Sequence, residues 1–329
     1  MESLQYIKNR LKSVKNIGQI TKAMEVVSAT KMRKAQEVAL HSRPYAFRAL
    51  ELLETIVANI KNQISNIKIE IPLTQSREVK NTLVVIVASD RGLAGAFNSQ
   101  VIRATERLLA GETPPGLPLG EVQEGFHAFK FIIVGKKASS YALKRGMKVI
   151  ETFTGFGDYA LPEEVAPLAE LVVNGFLKGK WDRVMTVSTH FRSTLKQETL
   201  VRQLLPLDVS KIAETVKEII PEHGRYSEAR PQEISPRSRL GFETTEYIFE
   251  PTPEEAVSAL VPHLVNMQLY HLLLEANASE HSARMVAMKT ASDNAVDLAD
   301  GLTLQFNKAR QASITKEIIE ITSTMNALT

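Results

Sequence analysis

The sequence predicts an α/β chain in which two long terminal helices pair as an antiparallel coiled coil and a mostly parallel sheet domain is spliced between them. Two observations carry that expectation. Apolar residues recur in steps of three and four at both ends of the 329-residue chain, over segments far longer than an ordinary helix of roughly 11–12 residues. The middle instead holds short, β-branched, almost wholly apolar runs separated by helical stretches.

At the N-terminal end, Leu4, Ile7, Leu11, Val14, Ile17, Ile20, Met24 and Val27 form an apolar seam with a stutter near Ile17. No proline precedes Pro44, and Gly18 is the single glycine of this stretch. One helix is expected from about Ser3 to about Val57, with Pro44 as the place for a bend; residues 1–57 make the first domain.

In the middle, Thr82–Ala88, Phe131–Val134 and Val184–Ser188 read as strands buried on both faces. Helices are expected around Gln100–Leu109, Lys137–Arg145 and Pro162–Leu177. Strands alternating with helices predict a Rossmann-like α/β domain over residues 78–250, its sheet mostly parallel and flanked by helices. The segments Gly111–Gly125 and Ser210–Leu240 are rich in Pro, Gly and charge, as surface insertions are. The second holds a possible short helix at Lys211–Ile220.

The last element opens at Thr252-Pro253-Glu254-Glu255, a threonine cap with proline in the first turn and glutamate three residues after the cap. Leu260, Leu264, Met267, Tyr270, Leu274, Ala278 and Met285 then keep helical spacing. A continuous helix over residues 252–328 would be about 110 Å long at ~1.5 Å per residue. Neither terminal helix can hide its seam against a domain smaller than itself, so each is expected to cover the other's.

Composition excludes several chemistries. There is no cysteine, hence no disulfide, thiolate nucleophile or cysteine metal site. The net charge is only +3, so neither a nucleic-acid nor a membrane partner follows from the total. No apolar run approaches the roughly 18 residues needed to span a bilayer. His263, His271 and His281 lack a matching carboxylate pair, so they read as surface or interface histidines rather than metal ligands. No G-x-S-x-G nucleophile motif occurs.

Three features remain. The turn Ser89–Asn98 follows the first strand and opens a helix, with Gly92 and Gly95 as its only glycines. Neither the dinucleotide fingerprint nor the P-loop is met, which leaves a structural turn as the main reading and an anion site as its alternative. Residues 1–48 carry ten Lys or Arg against three Glu, either a solvated face or a contact with an acidic partner. An acidic protein surface suits that stretch at least as well as DNA, because it lacks a heptad-anchored basic region. Finally, Ile321–Thr329 contains no charged side chain. It reads as a frayed end, or as a tip that turns in an uncharged sleeve without committing to an ion pair.

Three blocks carry a resemblance. Ile7-Lys8-Asn9-Arg10, Ser13-Val14-Lys15 and Gln19-Ile20-Thr21-Lys22-Ala23-Met24 resemble the start of the F-type ATP synthase gamma subunit. Ser89–Asn98 resembles its middle, with Ala94 where the family often has cysteine. Ala278-Ser279-Glu280-His281, Ala283–Lys289 and Asn307-Lys308-Ala309-Arg310-Gln311-Ala312 resemble its last helix.

The resemblance implies the central stalk, or rotor shaft, of an F1Fo ATP synthase, which couples proton-driven rotation of the c ring to ATP synthesis or hydrolysis on the beta subunits. It implies alpha and beta partners (3:3:1 with gamma), an epsilon subunit and a c ring. It also implies no catalytic residue, cofactor or metal in this chain, and no nucleic acid. Membrane association would come through partners, on the cytoplasmic side of a bacterial membrane or an equivalent energy-transducing membrane. Carried over residue by residue, Arg310 and Gln311 would bond to beta-subunit loops. Lys22, Lys31, Arg33 and Lys34 would face an acidic helix-turn-helix of the beta subunit, with Met24 at the same level. Tyr247, Phe249 and Glu250 would lie near epsilon and the c ring. Ser323-Thr324 replaces a glycine common in the family, and the 210–240 insertion has no cysteine for thiol regulation. The competing readings are an α/β nucleotide-binding protein with helical arms and a basic coiled-coil scaffold for nucleic acid.

Overall fold

The computed structural model describes residues 3–63, 73–75, 77–111, 128–158, 160–207 and 253–328. Apart from Gly111, the expected insertions and the short helix at Lys211–Ile220 lie outside them. Helix α1 spans Leu4–Gln63, running past the expected end and unbroken through Pro44. Helix α5 spans Pro253–Leu328. Between them lie β1 (Asn81–Val87), α2 (Phe97–Leu109), β2 (Ala128–Val134), α3 (Lys136–Lys144), β3 (Val149–Phe153), α4 (Pro162–Leu177), β4 (Arg183–Phe191) and β5 (Gln197–Leu205).

The strands form one sheet in the order β3-β2-β1-β4-β5. The first four run parallel, and β5 closes the edge antiparallel to β4. Two of these strands escape the search for apolar runs. The edge strand β3 (VIETF) is largely exposed, with Glu151 at its centre. The partly buried β5 (QETLVRQLL) mixes polar with apolar residues. Strand order reverses beside β1, whose neighbours are β2 and β4. The crevice at the carboxyl ends of these strands is where a sheet of this kind would take a ligand.

Contacts divide the chain into two compact units, Met1–Ala29 with Arg284–Thr329, and Thr30–Ala283. In the larger unit, α2 and α3 cover one sheet face through Val101, Ala104, Leu108, Ala138 and Ala142. The other face packs on α4 and on α5, whose residues from Val261 to Leu274 contribute most of that core, with Ala39 of α1 beside them. Between Leu269 and Ala276 every residue of α5 is buried, as in a helix surrounded on all sides. Trp181 fills this core, and its indole Nε1–H donates to the Val172 carbonyl at 3.0 Å. Gly175 is required there: a Cβ on it would lie 1.8 Å from the Trp181 ring.

The smaller unit is a helix pair. Ile7 and Val14 share a cluster with Ala295, Ala299 and Leu302, flanked by Leu11, Phe306 and Ala309. Gly18 sits opposite Ala295. In an antiparallel register that places Val14 level with Ala299 and Ile7 level with Phe306.

The seam differs from the expected one. Along α1 Leu4, Ile7, Leu11, Val14, Gly18, Thr21, Glu25, Ser28, Met32, Ala35 and Ala39 form one covered stripe, with Met24, Ala29, Lys31, Gln36 and Val38 half-buried beside it. The stripe is an unbroken alternation of three and four, the strict heptad of a left-handed coiled coil, with no stutter. Ile17, Ile20 and Val27 are exposed instead. The cause is close approach: the seam passes through small and hydroxyl residues where the helices come nearest. The partner seam of α5, Met285, Met288, Ser292, Ala295, Ala299, Leu302, Phe306 and Ala309, obeys the same spacing.

Candidate functional site

The turn after β1 is self-contained. Asn98 Oδ1 accepts from the Ser89 N–H at 3.1 Å and from Ser89 Oγ at 2.9 Å, closing the turn onto the first residues of α2. Leu93 and Gly95 take positive φ within it. The Asp90 carboxylate turns toward the start of α3, where Oδ1 accepts from the Lys136 N–H and Oδ2 from the Gly155 N–H, both at 2.9 Å. A helix N-terminus at the reversal of strand order is where a phosphate would bind. Here the Asp90 carboxylate instead holds N–H groups at the start of α3 and after β3, on the β2–β3 side of β1, and a second anion near them would meet its charge. The geometry supports the structural turn over the anion site.

A buried polar seam joins α5 to the sheet. His190 Nδ1 of β4 lies 2.9 Å from Glu275 Oε2, with Arg202 Nη1 of β5 at 3.9 Å. Burial pushes the Glu275 carboxyl up, but the hydrogen bond and charge of His190 and the charge of Arg202 outweigh it and hold it below its usual value. One helical turn on, the Ser279 hydroxyl donates to the Thr189 carbonyl at 3.4 Å. Ser282 Oγ donates to the Thr194 carbonyl at 2.7 Å. His271 and His281 are buried within the chain, which corrects their reading as surface or interface residues; His263 alone of the three is exposed.

The loop before α4 carries a second group of charges. Asp158 Oδ2 accepts from Lys31 Nζ of α1 at 2.5 Å, and Asp158 Oδ1 lies 2.9 Å from His281 Nε2 of α5. Asn277 Nδ2 donates to the Gly157 carbonyl at 3.2 Å.

The residues singled out for partner contact are dispersed. Arg310 and Gln311 are exposed on α5 just beyond Ala309, the last position of its covered seam. The antiparallel register brings Leu4 level with Ala309, so among the described residues α1 does not accompany α5 farther. Lys22 is exposed and pairs with Glu25 of its own helix at 3.0 Å, and Met24 is half-buried beside it. The same register sets Lys22 level with Ala291, about 28 Å from Arg310 at ~1.5 Å per residue; these are separate levels of one helix pair. Arg33 and Lys34 are exposed, whereas Lys31 is half-buried against Asp158. Tyr247, Phe249 and Glu250 lie outside the described residues.

Large apolar side chains are exposed along both helices: Ile17, Ile20, Val26 and Val27 on α1, and Ile314, Ile318, Ile319, Ile321 and Met325 on α5. An apolar surface this extended marks an interface. Asp158, Glu275 and His190 were not singled out from the sequence, because each is a lone polar residue whose partner lies on another element. Among the described residues no helix is long and apolar enough to cross a membrane, and no group of three or more His, Cys, Asp or Glu is placed to hold a metal.

Comparison with known proteins places these features. A family model described as ATP synthase matches residues 3–328. The ATP synthase gamma chain of Roseiflexus castenholzii is 37% identical over 328 residues, covering 100% of this chain and 99% of the relative. That of Synechococcus elongatus is 38% identical over 334 residues, with the same coverage. Among solved structures, a chain of the Euglena gracilis mitochondrial ATP synthase (OSCP/F1/c-ring) superimposes with a TM-score of 0.60 at 19% identity, covering 99% of this chain and 94% of that one. A chain of the Tetrahymena thermophila central stalk/c-ring structure gives 0.53 at 22% identity, with 83% and 99% covered.

Proposed function

This chain belongs to the ATP synthase gamma-chain family, and from that premise we propose that it is the rotating central stalk that couples c-ring rotation to nucleotide chemistry on the beta subunits. The observation that carries the reading is the end of α5. From Arg310 to Ser323 every residue is exposed, isoleucines included. A helix end of this kind is complete only inside a surrounding partner. In the proposed assembly three alpha and three beta subunits form that surround, with Arg310 and Gln311 bonding to beta-subunit loops. Lys22, Arg33 and Lys34 face acidic beta-subunit surface, and Met24 lies at the level of Lys22. Lys31 belongs to the same stretch, with its charge shared with Asp158. Tyr247, Phe249 and Glu250 are assigned to the epsilon and c-ring end. The domain assignment follows: residues 1–57 and 252–328 as coiled-coil helices, and 78–250 as the α/β domain.

The chain itself carries no catalytic centre in this reading, and the missing dinucleotide and P-loop motifs around Gly92 and Gly95 support that against the nucleotide-binding alternative. The rotor changes the relative free energies of beta-subunit conformations by contact, a population shift driven by rotation. It sits peripherally, on the cytoplasmic face of a bacterial membrane or on an equivalent energy-transducing membrane, held there by its partners. Co-expression with the cognate alpha and beta subunits tests the proposal. A 3:3:1 complex whose ATP hydrolysis falls on Arg310→Ala and Gln311→Ala is expected. A chain that stays alone and leaves alpha and beta hydrolysis unaltered would overturn it.

A further inference from the structure

We propose that Asp158 is a positioning residue for rotary coupling, a single carboxylate that fastens the α/β domain to both long helices at once; the proposal rests on the central-stalk reading. The loop from Thr154 to Asp158 is held at both ends. Its start is pinned to the sheet, where the Gly155 N–H donates to Asp90 Oδ2 at 2.9 Å, and Phe156 stacks on Phe153 of β3 with ring centroids 6.1 Å apart. Its far end reaches both helices. Asp158 Oδ2 takes the Lys31 ammonium of α1, and Oδ1 meets His281 Nε2 of α5. Asn277, one turn before His281 on α5, donates to the Gly157 carbonyl.

Burial works against the Asp158 charge, but the hydrogen bond from Lys31 and the charge of His281 outweigh it, so the carboxyl is held below its ordinary 3.8 and is an anion at neutral pH. Its two oxygens therefore bind the two helices simultaneously. The chain path makes this contact important. The core grips α5 on all sides through the residues from Leu269 to Ala276, whereas among the described residues α1 joins that core through Ala39, flanked by Val38, with Met32 and Ala35 also buried along its seam. A load applied to the α/β domain thus reaches α5 through packing, and reaches α1 both through its packed seam and, from the loop before α4, through the Asp158–Lys31 ion pair. Without the carboxylate that polar link is lost, and the transfer of load to α1 rests on its packed seam alone.

The test uses the assembled ATP synthase in vesicles carrying Asp158→Asn, which keeps the side-chain shape and removes the charge. The expected result is normal 3:3:1 assembly and ATP hydrolysis within about twofold of wild type, with protons pumped per ATP reduced by roughly threefold or more, within the range by which residues on a coupling path act. Asp158→Glu, which keeps the carboxylate for both partners, is expected to retain pumping relative to Asp158→Asn. Unchanged pumping per ATP in Asp158→Asn would overturn the proposal. So would hydrolysis and pumping falling by one common factor in a fully assembled complex, because a merely structural role moves both. Failure of the central-stalk reading is distinguishable, since the wild-type chain would then form no 3:3:1 complex.

Discussion

Gly18 of α1 lies so close to Ala295 of α5 that a Cβ added to the glycine would stand 3.3 Å from the alanine Cβ. Both positions belong to the heptad seam, and the pair sets the register from which Val14 meets the level of Ala299 and Ile7 that of Phe306. Gly18→Ala gains about 0.8–1.0 kcal/mol of helix propensity, offset by a contact that needs a shift of a few tenths of an ångström. Its net effect on urea unfolding is expected to be small. Gly18→Leu forces the helices apart and is expected to cost about 1–3 kcal/mol. An equally stable leucine variant would show that the seam does not close here.

Trp181 and Gly175 form a lock of complementary shape. Gly175→Ala drives a methyl group into the indole ring, and a loss of about 3 kcal/mol or more is expected from overpacking a buried site. Trp181→Ala empties the same site and is expected to cost about 3–5 kcal/mol. Because Trp181 is the only tryptophan, its fluorescence during denaturation reads the first variant directly, and circular dichroism reads both.

Glu275 ties stability to pH. Its folded value is depressed below the usual 4.5 by His190 and Arg202 in spite of burial. It therefore contributes stability that is present above about pH 4.5 and lost as pH falls through the folded value. Glu275→Gln is expected to lower stability at pH 7 by about 2–4 kcal/mol, because it leaves the buried His190 and Arg202 poorly compensated. It is also expected to flatten the loss of stability as pH falls below about 4.5 relative to wild type. Parallel acid-unfolding curves for the two proteins would refute the assignment.

Asp90 caps α3 from a distance and ties its start to the loop after β3. Asp90→Ala frees the N–H groups of Lys136 and Gly155, and is expected to cost about 0.5–2 kcal/mol in thermal unfolding. Titration calorimetry of the wild-type chain with ADP is expected to show no binding. A saturable heat would revive the nucleotide-binding alternative.

Much of the architecture was legible because it depends on local pattern. The helices, the three apolar strands and the start of α5 at Pro253 all follow from periodicity and capping. The edge strands β3 and β5 were not, because exposure on a sheet edge removes the apolar run by which a strand is recognised. The contact residues Arg310 and Gln311 were legible only through resemblance to a family; nothing in their own chemistry separates them from other exposed residues of α5.

The heptad shows where local reading stops. Hydrophobicity favoured Ile17, Ile20 and Val27 for the seam, yet Gly18, Thr21 and Ser28 occupy it. Sequence alone established that two long helices flank an α/β domain, since helical period and β-branched runs are properties of neighbouring residues. Only the tertiary structure decided which stripe of α1 is covered, how Asp158 reaches Lys31 and His281, and how Asp90 reaches the backbone of Lys136 and Gly155. These depend on the distance between elements far apart in the chain: where two backbones come close, only a small side chain fits, and where a carboxylate meets two donors, each comes from a different element.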